Sequence, residues 1–268
     1  MVAQVYVINS GKGGVGKTTT TANVATALAL KGRNVLMIDA DIGLRNLDVI
    51  TGLENRIVYD LVQAIEGDCE PKQAAIRDKN IDNLHLIPAA QTRDKDDITA
   101  EQMQEFCDEV KSEYDYIFID SPAGIEQGFR NALFAADKAI VVTTPEVAAI
   151  RDADRVIGFV EANGKPKPEV ILNRVRPKMV KRGDMMNTED ILGLLSVELL
   201  GVIPEDENIV ISTNRGVPIV HNTKSKSAES FRRIAARIEG QQVPILNMEV
   251  DNGIFSWIRK ITRIGSPA

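Results

Sequence analysis

The sequence feature with the clearest chemical meaning is a glycine-rich stretch, GKGGVGKT, at residues 11–18. It satisfies the pattern G-x-x-x-x-G-K-[ST] in full, between an apolar run and a helical pattern. Glycines let backbone N–H groups turn toward phosphate oxygens without a Cβ in the way. Lys17 can place its charge beside the β- and γ-phosphates, and the Thr18 hydroxyl suits Mg²⁺. The stretch therefore predicts a nucleoside triphosphate site, whose lining residues would be Gly11, Lys12, Gly13, Gly14, Val15, Gly16, Lys17, Thr18 and Thr19.

Acidic side chains follow two of the predicted strands, where a magnesium–nucleotide site requires them. Residues 35–39 end in Asp39 and lead to Asp41, and residues 116–120 end in Asp120. Ligands bind at the carboxyl ends of the strands in an open α/β sheet, so these carboxylates are expected to face the phosphates. Asp120 and Asp39 are the candidates for binding Mg²⁺, with Asp39 in its outer shell.

Apolar, β-branched runs alternate with helical stretches along the chain, and these elements must position the site. The runs predict strands at residues 5–9, 35–39, 84–88, 116–120, 139–143, 170–173 and 201–204, and helices are predicted at 18–31, 99–113, 147–163 and 227–239. Near-continuous apolar runs are typical of strands covered by helices on both faces. We therefore predict an α/β fold in which residues 1–240 form a single doubly wound, mainly parallel sheet.

Composition limits the classes of function. The 268 residues carry a net charge of −6 and are 44% hydrophobic, so any basic surface for nucleic acid must be local. Cys69 and Cys107 are far apart, in no metal-ligand spacing, which indicates reduced thiols in a cytosolic protein. No apolar run approaches the roughly 20 residues that span a bilayer, and residues 2–9 are typical of a strand rather than a signal peptide.

The end of the chain differs in character from the rest. Residues 241–252 lack periodicity and are interpreted as a linker, and residues 253–265 read GIFSWIRKITRIG. On a helix, this segment would have an apolar face of Ile254, Phe255, Trp257, Ile258, Ile261 and Ile264, and a second face with the cations Arg259, Lys260 and Arg263. Such a pattern predicts a helix at the membrane interface. A terminal helix docked on the domain is the alternative interpretation.

The stretch at residues 12–18 resembles the deviant P-loop of the MinD/ParA ATPases, which has a second lysine inside the glycine turn. The resemblance covers nearly the whole chain and is most distinctive at residues 41–48, 91–96, 120–126, 182–185 and 201–206. It implies that Lys12 reaches the phosphates of the partner subunit in an ATP-sandwich homodimer. Spacing alone leaves open that Lys12 is a solvated loop charge.

The same resemblance implies roles for the residues that follow the strands. Asp120 would bind Mg²⁺ directly or through water, and the Gly124 N–H would sense the γ-phosphate. Asp41 would orient the attacking water, with Asn46 near the γ-phosphate.

The resemblance further implies a base pocket and a docking helix. Adenine would be contacted by Asn173, Pro204 and Glu205. Partner proteins would dock on Arg151, Asp152, Asp154 and Arg155, although a solvated, salt-bridged helix face is the plainer interpretation of these residues.

The function implied by the resemblance is a slow ATPase that positions the cell-division septum. Its ATP-bound dimer would attach to the inner face of the cell membrane through residues 253–265, recruit the division inhibitor MinC, and be released when MinE stimulates hydrolysis. A DNA-partitioning ATPase of the ParA type is the main alternative, and the basic stretch at residues 174–182 is its modest candidate surface. An iron–sulfur reductase subunit, which needs two correctly placed cysteines, and a metabolic P-loop kinase are further alternatives.

Overall fold

The computed structural model describes residues 2–93 and 97–246, and its strands form one eight-stranded sheet. The strands are β1 (Gln4–Asn9), β2 (Val35–Asp39), β3 (Ile76–Arg77), β4 (Leu84–Ile87), β5 (Tyr116–Asp120), β6 (Lys138–Thr143), β7 (Glu169–Val175) and β8 (Glu198–Pro204). Their spatial order is β3-β4-β2-β5-β1-β6-β7-β8, and the pairings are parallel except that of β3 with β4. The predicted doubly wound, mainly parallel sheet is confirmed.

Helices connect successive strands, except that β3 and β4 are joined by a loop without a helix. They are α1 (Lys17–Leu30), α2 (Leu47–Thr51), α3 (Leu61–Glu66), α4 (Pro71–Ala74), α5 (Ala100–Val110), α6 (Gln127–Ala135), α7 (Val147–Ala162), α8 (Pro177–Arg182), α9 (Thr188–Leu195), α10 (Glu207–Asn214) and α11 (Lys226–Ile238), with short 3-10 helices at Glu54–Arg56 and Ile219–His221. The helix predicted at 99–113 ends earlier, at Val110. Among the described residues, no helix has both the length and the apolar character to cross a membrane.

The apolar runs of the central strands are continuous because both faces of the sheet are covered. Along β1, Val5 and Val7 pack into one hydrophobic core, whereas Tyr6 and Ile8 pack into the other. Helices α5, α6 and α7 contribute to the first core, and α1 and α11 contribute to the second. A strand buried on both faces cannot alternate apolar with polar residues.

The register of the sheet brings the site residues to one edge. Asp39 of β2 lies directly beside Asp120 of β5, and Ile8 of β1 lies on the other side of Asp120. The glycine-rich stretch follows β1 at once, so the phosphate loop and both carboxylates lie at the carboxyl ends of three adjacent strands. This is the position at which open α/β sheets bind ligands.

Strand β3 was not predicted from the sequence. It consists of Ile76 and Arg77, which pair antiparallel with Leu86 and His85 of β4. Two residues are too few to show the period-2 alternation that marks a strand.

The predicted linker is described only as far as residue 246, and this part contains neither helix nor strand. Its backbone carbonyls contact α11, because the guanidinium of Arg233 donates to Pro244 O (2.8 Å) and that of Arg237 donates to Val243 O (3.0 Å). The predicted membrane helix at residues 253–265 lies outside the described residues.

Candidate nucleotide-binding site

The phosphate loop takes its shape from glycines in the left-handed backbone region. Gly14 has φ 79° and Gly16 has φ 97°, and Gly16 is the N-cap of α1. The amide of Asn173 donates to Val15 O (2.7 Å), and a Cβ on Gly16 would lie 2.2 Å from Asn173 Nδ2. Glycine is therefore required at position 16 both by its φ and by the close approach of Asn173.

Lys17 and Asp120 form a buried ion pair at the base of this loop. The distance from Lys17 Nζ to Asp120 Oδ1 is 2.9 Å, and the side chains are 8% and 1% exposed. The second oxygen, Asp120 Oδ2, is buried and has no hydrogen-bond partner among the described residues. A buried carboxylate oxygen left without a donor is suited to Mg²⁺ or to its bound water.

Asp39 supports the loop that follows β2. Its carboxylate accepts hydrogen bonds from the backbone N–H groups of Asp41, Asn46 and Leu47, each at 3.1 Å. Burial is the main cause that raises the pKa of Asp39, and the negative charge of the neighbouring Asp120 raises it further. The three N–H donors act in the opposite direction and lower this pKa. Asp39 thus holds the loop in place, and its position in the outer shell of Mg²⁺ stays a prediction.

The loop between β2 and α2 carries two further candidates. Asp41 is half-buried and Asn46 is exposed, and the backbone N–H of each donates to the carboxylate of Asp39. Arg45 has φ 35°, an uncommon conformation for a residue other than glycine, and its Nε lies 3.0 Å from the buried Asp48 carboxylate. Burial raises the pKa of Asp48, and the charge of Arg45 opposes this rise.

Lys12 lies at the rim of the loop rather than in its base. Its Nζ is 3.2 Å from Glu146, the residue that precedes α7, and its side chain is 37% exposed. The two lysines of the glycine turn therefore differ, since Lys17 is buried against the sheet and Lys12 is accessible. No local sequence signal predicts the Glu146 contact, because the partners are separated by 134 positions.

Helix α7 packs directly on the start of the phosphate loop. A Cβ on Gly11 would lie 2.3 Å from the backbone carbon of Asp152 and 2.4 Å from its Cβ. Among the predicted docking residues, Asp152 is half-buried in this contact, whereas Arg151, Asp154 and Arg155 are exposed. The helix thus has one face on the loop and another in solvent.

Gly124 connects the segment after β5 to the phosphate loop. Its φ is 88°, and its N–H donates to Ser10 O at 2.8 Å. The N–H that was predicted to sense the γ-phosphate is therefore bonded to the protein backbone here, and that role stays a prediction.

The predicted base-pocket residues lie at the ends of the neighbouring strands β7 and β8. The side-chain N–H of Asn173 donates to Val15 O, and its Oδ1 accepts from the backbone N–H of Arg174 (2.8 Å). Arg174 has a φ of 55°. Pro204 is buried, whereas Glu205 is exposed. Arg176 forms two hydrogen bonds with Glu205 and lowers the pKa of that carboxyl.

The structure places the residues on which two alternative functions depend. Arg176 and Arg182, in the basic stretch considered for DNA, are paired with Glu205 and Asp184. Cys69 and Cys107 are buried in the hydrophobic core, and burial raises the pKa of both thiols. Neither cysteine is placed to supply a thiolate to a cluster that bridges two subunits.

Comparison with known proteins identifies the family. Residues 3–168 match an AAA domain family, AAA_31. The septum site-determining protein MinD of Synechocystis sp. is 52% identical over 259 residues, which cover 96% of this chain and 97% of that protein.

Two solved structures are similar over most of the chain. The MinC:MinD cell division protein complex of Aquifex aeolicus matches with a TM-score of 0.86 and 49% identity, covering 91% of this chain and 99% of that one. The septum site-determining protein MinD of Pyrococcus horikoshii, complexed with Mg-ADP, matches with a TM-score of 0.80 and 31% identity, covering 88% and 96%. Since both the sequence and the fold agree across almost the whole length, this chain belongs to the MinD family of septum site-determining proteins.

Proposed function

We propose that this chain is an ATP-dependent switch that positions the division septum: it binds ATP and Mg²⁺, dimerises, attaches to the inner face of the cell membrane and recruits MinC. The observation that carries this proposal is the placement of the two lysines of the glycine turn. Lys17 is buried beside Asp120, where it can contact the phosphates bound to its own subunit. Lys12 lies at the accessible rim of the loop, where it can contact the phosphates bound to a second subunit. Membership of the MinD family supports the same function.

The chemistry needs little from the protein beyond position and charge, because phosphoryl transfer to water involves no covalent protein group. Thr18 and Asp120 would hold Mg²⁺, which would neutralise phosphate charge when bound. The Mg-ADP complex of the Pyrococcus horikoshii relative supports this assignment. A subunit without its partner's Lys12 would have an incomplete site and hydrolyse ATP slowly.

Asp41→Ala is expected to slow hydrolysis at least tenfold while ATP binding stays close to that of the unmodified protein. Asp41 would orient the attacking water, and positioning of a reactant is worth factors of this size or more. Single-turnover hydrolysis and equilibrium ATP binding measure the two effects separately. Hydrolysis at the unmodified rate would show that Asp41 has another role.

Lys12→Ala is expected to remove hydrolysis in the homodimer and to leave one working site in a mixed dimer with the unmodified chain. The reason is that each Lys12 would complete the site of the other subunit. The measurement is the ATPase rate as the two proteins are mixed in varying ratio. Lys72→Ala is the matched control, because Lys72 is also an exposed lysine paired with a glutamate, Glu113. Normal binding, dimerisation and hydrolysis in Lys12→Ala would make Lys12 a solvated loop charge.

MinC is proposed to dock on the solvent face of α7. Arg151, Asp154 and Arg155 are exposed there, and an exposed cluster of mixed charge suits a polar docking surface. The Aquifex aeolicus relative is described in a complex with MinC, which supports the same partner for this chain. Stimulation of hydrolysis and release by MinE completes the proposed cycle.

Membrane attachment is proposed to depend on residues 253–265. Each apolar side chain that is buried contributes about 1.5–3 kcal/mol, and each cation near anionic lipid about 1 kcal/mol. So short a segment is at best marginally stable as an isolated helix, so one segment should bind weakly. Two segments on one dimer can gain a factor of about 10²–10⁴ in avidity, which would make attachment depend on ATP.

The test is sedimentation with anionic liposomes in ATP, in ADP and without nucleotide. A chain that ends before Gly253 is expected to bind ATP and dimerise but not to sediment, and Ile261→Glu should nearly reproduce that loss. Arg259→Glu is expected to weaken binding to anionic lipid more than to neutral lipid, because only the electrostatic contribution is reversed. A shortened chain that melts several degrees lower and still sediments would instead identify this segment as a docked terminal helix.

A further inference from the structure

The hydroxyl of Thr21 contacts the same carboxylate that pairs with Lys17. Thr21 is fully buried on α1, and its Oγ1 lies 2.9 Å from Asp120 Oδ1 and 3.2 Å from Lys17 O. A hydroxyl has one proton to donate, and a carboxylate is a stronger acceptor than a peptide carbonyl. We therefore assign the donated hydrogen bond of Thr21 to Asp120.

Other threonines of the same helix use their hydroxyls differently. Thr20 donates to the carbonyl of Gly16 (2.8 Å) and Thr26 to the carbonyl of Ala22 (2.6 Å), the usual bond to the preceding turn. Thr21 instead connects the helix that follows the phosphate loop to the end of β5.

The contacts of Asp120 are divided unequally between its two oxygens. Oδ1 receives both Lys17 and Thr21, whereas the buried Oδ2 has no hydrogen-bond partner among the described residues. Asp39, its neighbour in the sheet, has both oxygens occupied by backbone N–H groups. Of these two adjacent carboxylates, Asp120 is therefore the one with an oxygen that has no hydrogen-bond partner among the described residues.

The proposed function requires Lys17 to turn toward the phosphates, which would remove one of the two donors from Oδ1. Thr21 is fixed on a helix and would remain. We propose that Thr21 is a positioning residue that holds Oδ1 of Asp120, so that Oδ2 stays directed at the magnesium–nucleotide site. This inference rests on the proposed function, because it assigns Asp120 to Mg²⁺.

The test measures magnesium-dependent nucleotide binding by the full-length protein. Fluorescence anisotropy of a fluorescent ATP analogue, titrated with Mg²⁺ and repeated in EDTA, gives the magnesium concentration at half-maximal binding. Thr21→Val removes the hydroxyl and keeps the β-branched shape. It is expected to raise the magnesium concentration at half-maximal binding about tenfold, because one hydrogen bond to a charged group is lost. Affinity in EDTA is expected to be unchanged, and Thr21→Ser, which retains the hydroxyl, should stay within about twofold of the unmodified protein.

Thr26→Val is the matched control, since it removes a buried hydroxyl from the same helix without touching Asp120. An equal shift in Thr26→Val, or no shift in Thr21→Val, would overturn the assignment. Should Thr21→Val fail to fold, Thr21→Ala carries the same test. Binding by the unmodified protein that does not depend on Mg²⁺ would contradict the proposed function itself, whereas a magnesium-dependent unmodified protein with an unshifted variant contradicts only the role of Thr21.

Discussion

Lys17→Ala is expected to lower ATP affinity by about 100-fold and to abolish ATP-dependent dimerisation. A hydrogen bond to a charged group contributes about 1.5–3 kcal/mol, and Lys17 is the buried cation at the base of the phosphate loop. Isothermal titration calorimetry measures the affinity, and light scattering measures the dimer. ATP affinity and dimer formation equal to those of the unmodified protein would rule out this assignment.

The same substitution is expected to destabilise the protein in the absence of nucleotide. Removal of one partner from a buried ion pair costs about 3–5 kcal/mol, because the Asp120 charge is left uncompensated. The double variant Lys17→Ala/Asp120→Asn should recover part of the melting temperature without recovering ATP binding. This comparison separates the contribution of Lys17 to folding from its contribution to the ligand.

Gly11→Ala is expected to lower the free energy of unfolding by about 1–3 kcal/mol, the usual cost of overpacking, and to weaken nucleotide binding. The added methyl group would lie within 2.5 Å of three atoms of Asp152, two of them in the backbone of α7. Helix and loop would have to separate, which would deform the phosphate loop. Thermal unfolding and ATP titration are the measurements.

The control for Gly11→Ala is Gly13→Ala in the same loop. A Cβ on Gly13 meets no described atom within 4 Å, and its φ is not in the left-handed region. Its melting temperature is therefore expected to match that of the unmodified protein within about 1 °C, since surface substitutions without such contacts change stability by less than ~0.5 kcal/mol. Equal destabilisation by the two substitutions would mean that contact with α7 is not the cause.

Much of the fold was predictable because its signals are local. The continuous apolar runs mark β2 and β5 to the residue, and the glycine turn marks the boundary between β1 and α1. The rule that ligands lie at the carboxyl ends of strands then placed Asp39 and Asp120 together, and their register confirms this.

The contacts that shape the site could not be predicted, since they join residues far apart in the chain. The bond from Asn173 to Val15 spans 158 positions and that from Thr21 to Asp120 spans 99. The carboxyl of Asp39 was assigned to magnesium because its position at a strand end is visible in the sequence. The backbone N–H groups that donate hydrogen bonds to this carboxyl are positioned by the path of the following loop. That path cannot be read from the sequence.

The two-residue strand β3 has a consequence for solubility. An exposed strand edge offers unpaired N–H and C=O groups on which another chain can add a strand and begin aggregation. Here that side of the sheet ends in two residues only, one of which is the exposed cation Arg77. So short and charged an edge gives a second sheet little backbone with which to pair. A protein that is proposed to attach to a membrane beside other copies of itself would be protected at this edge against irreversible self-association.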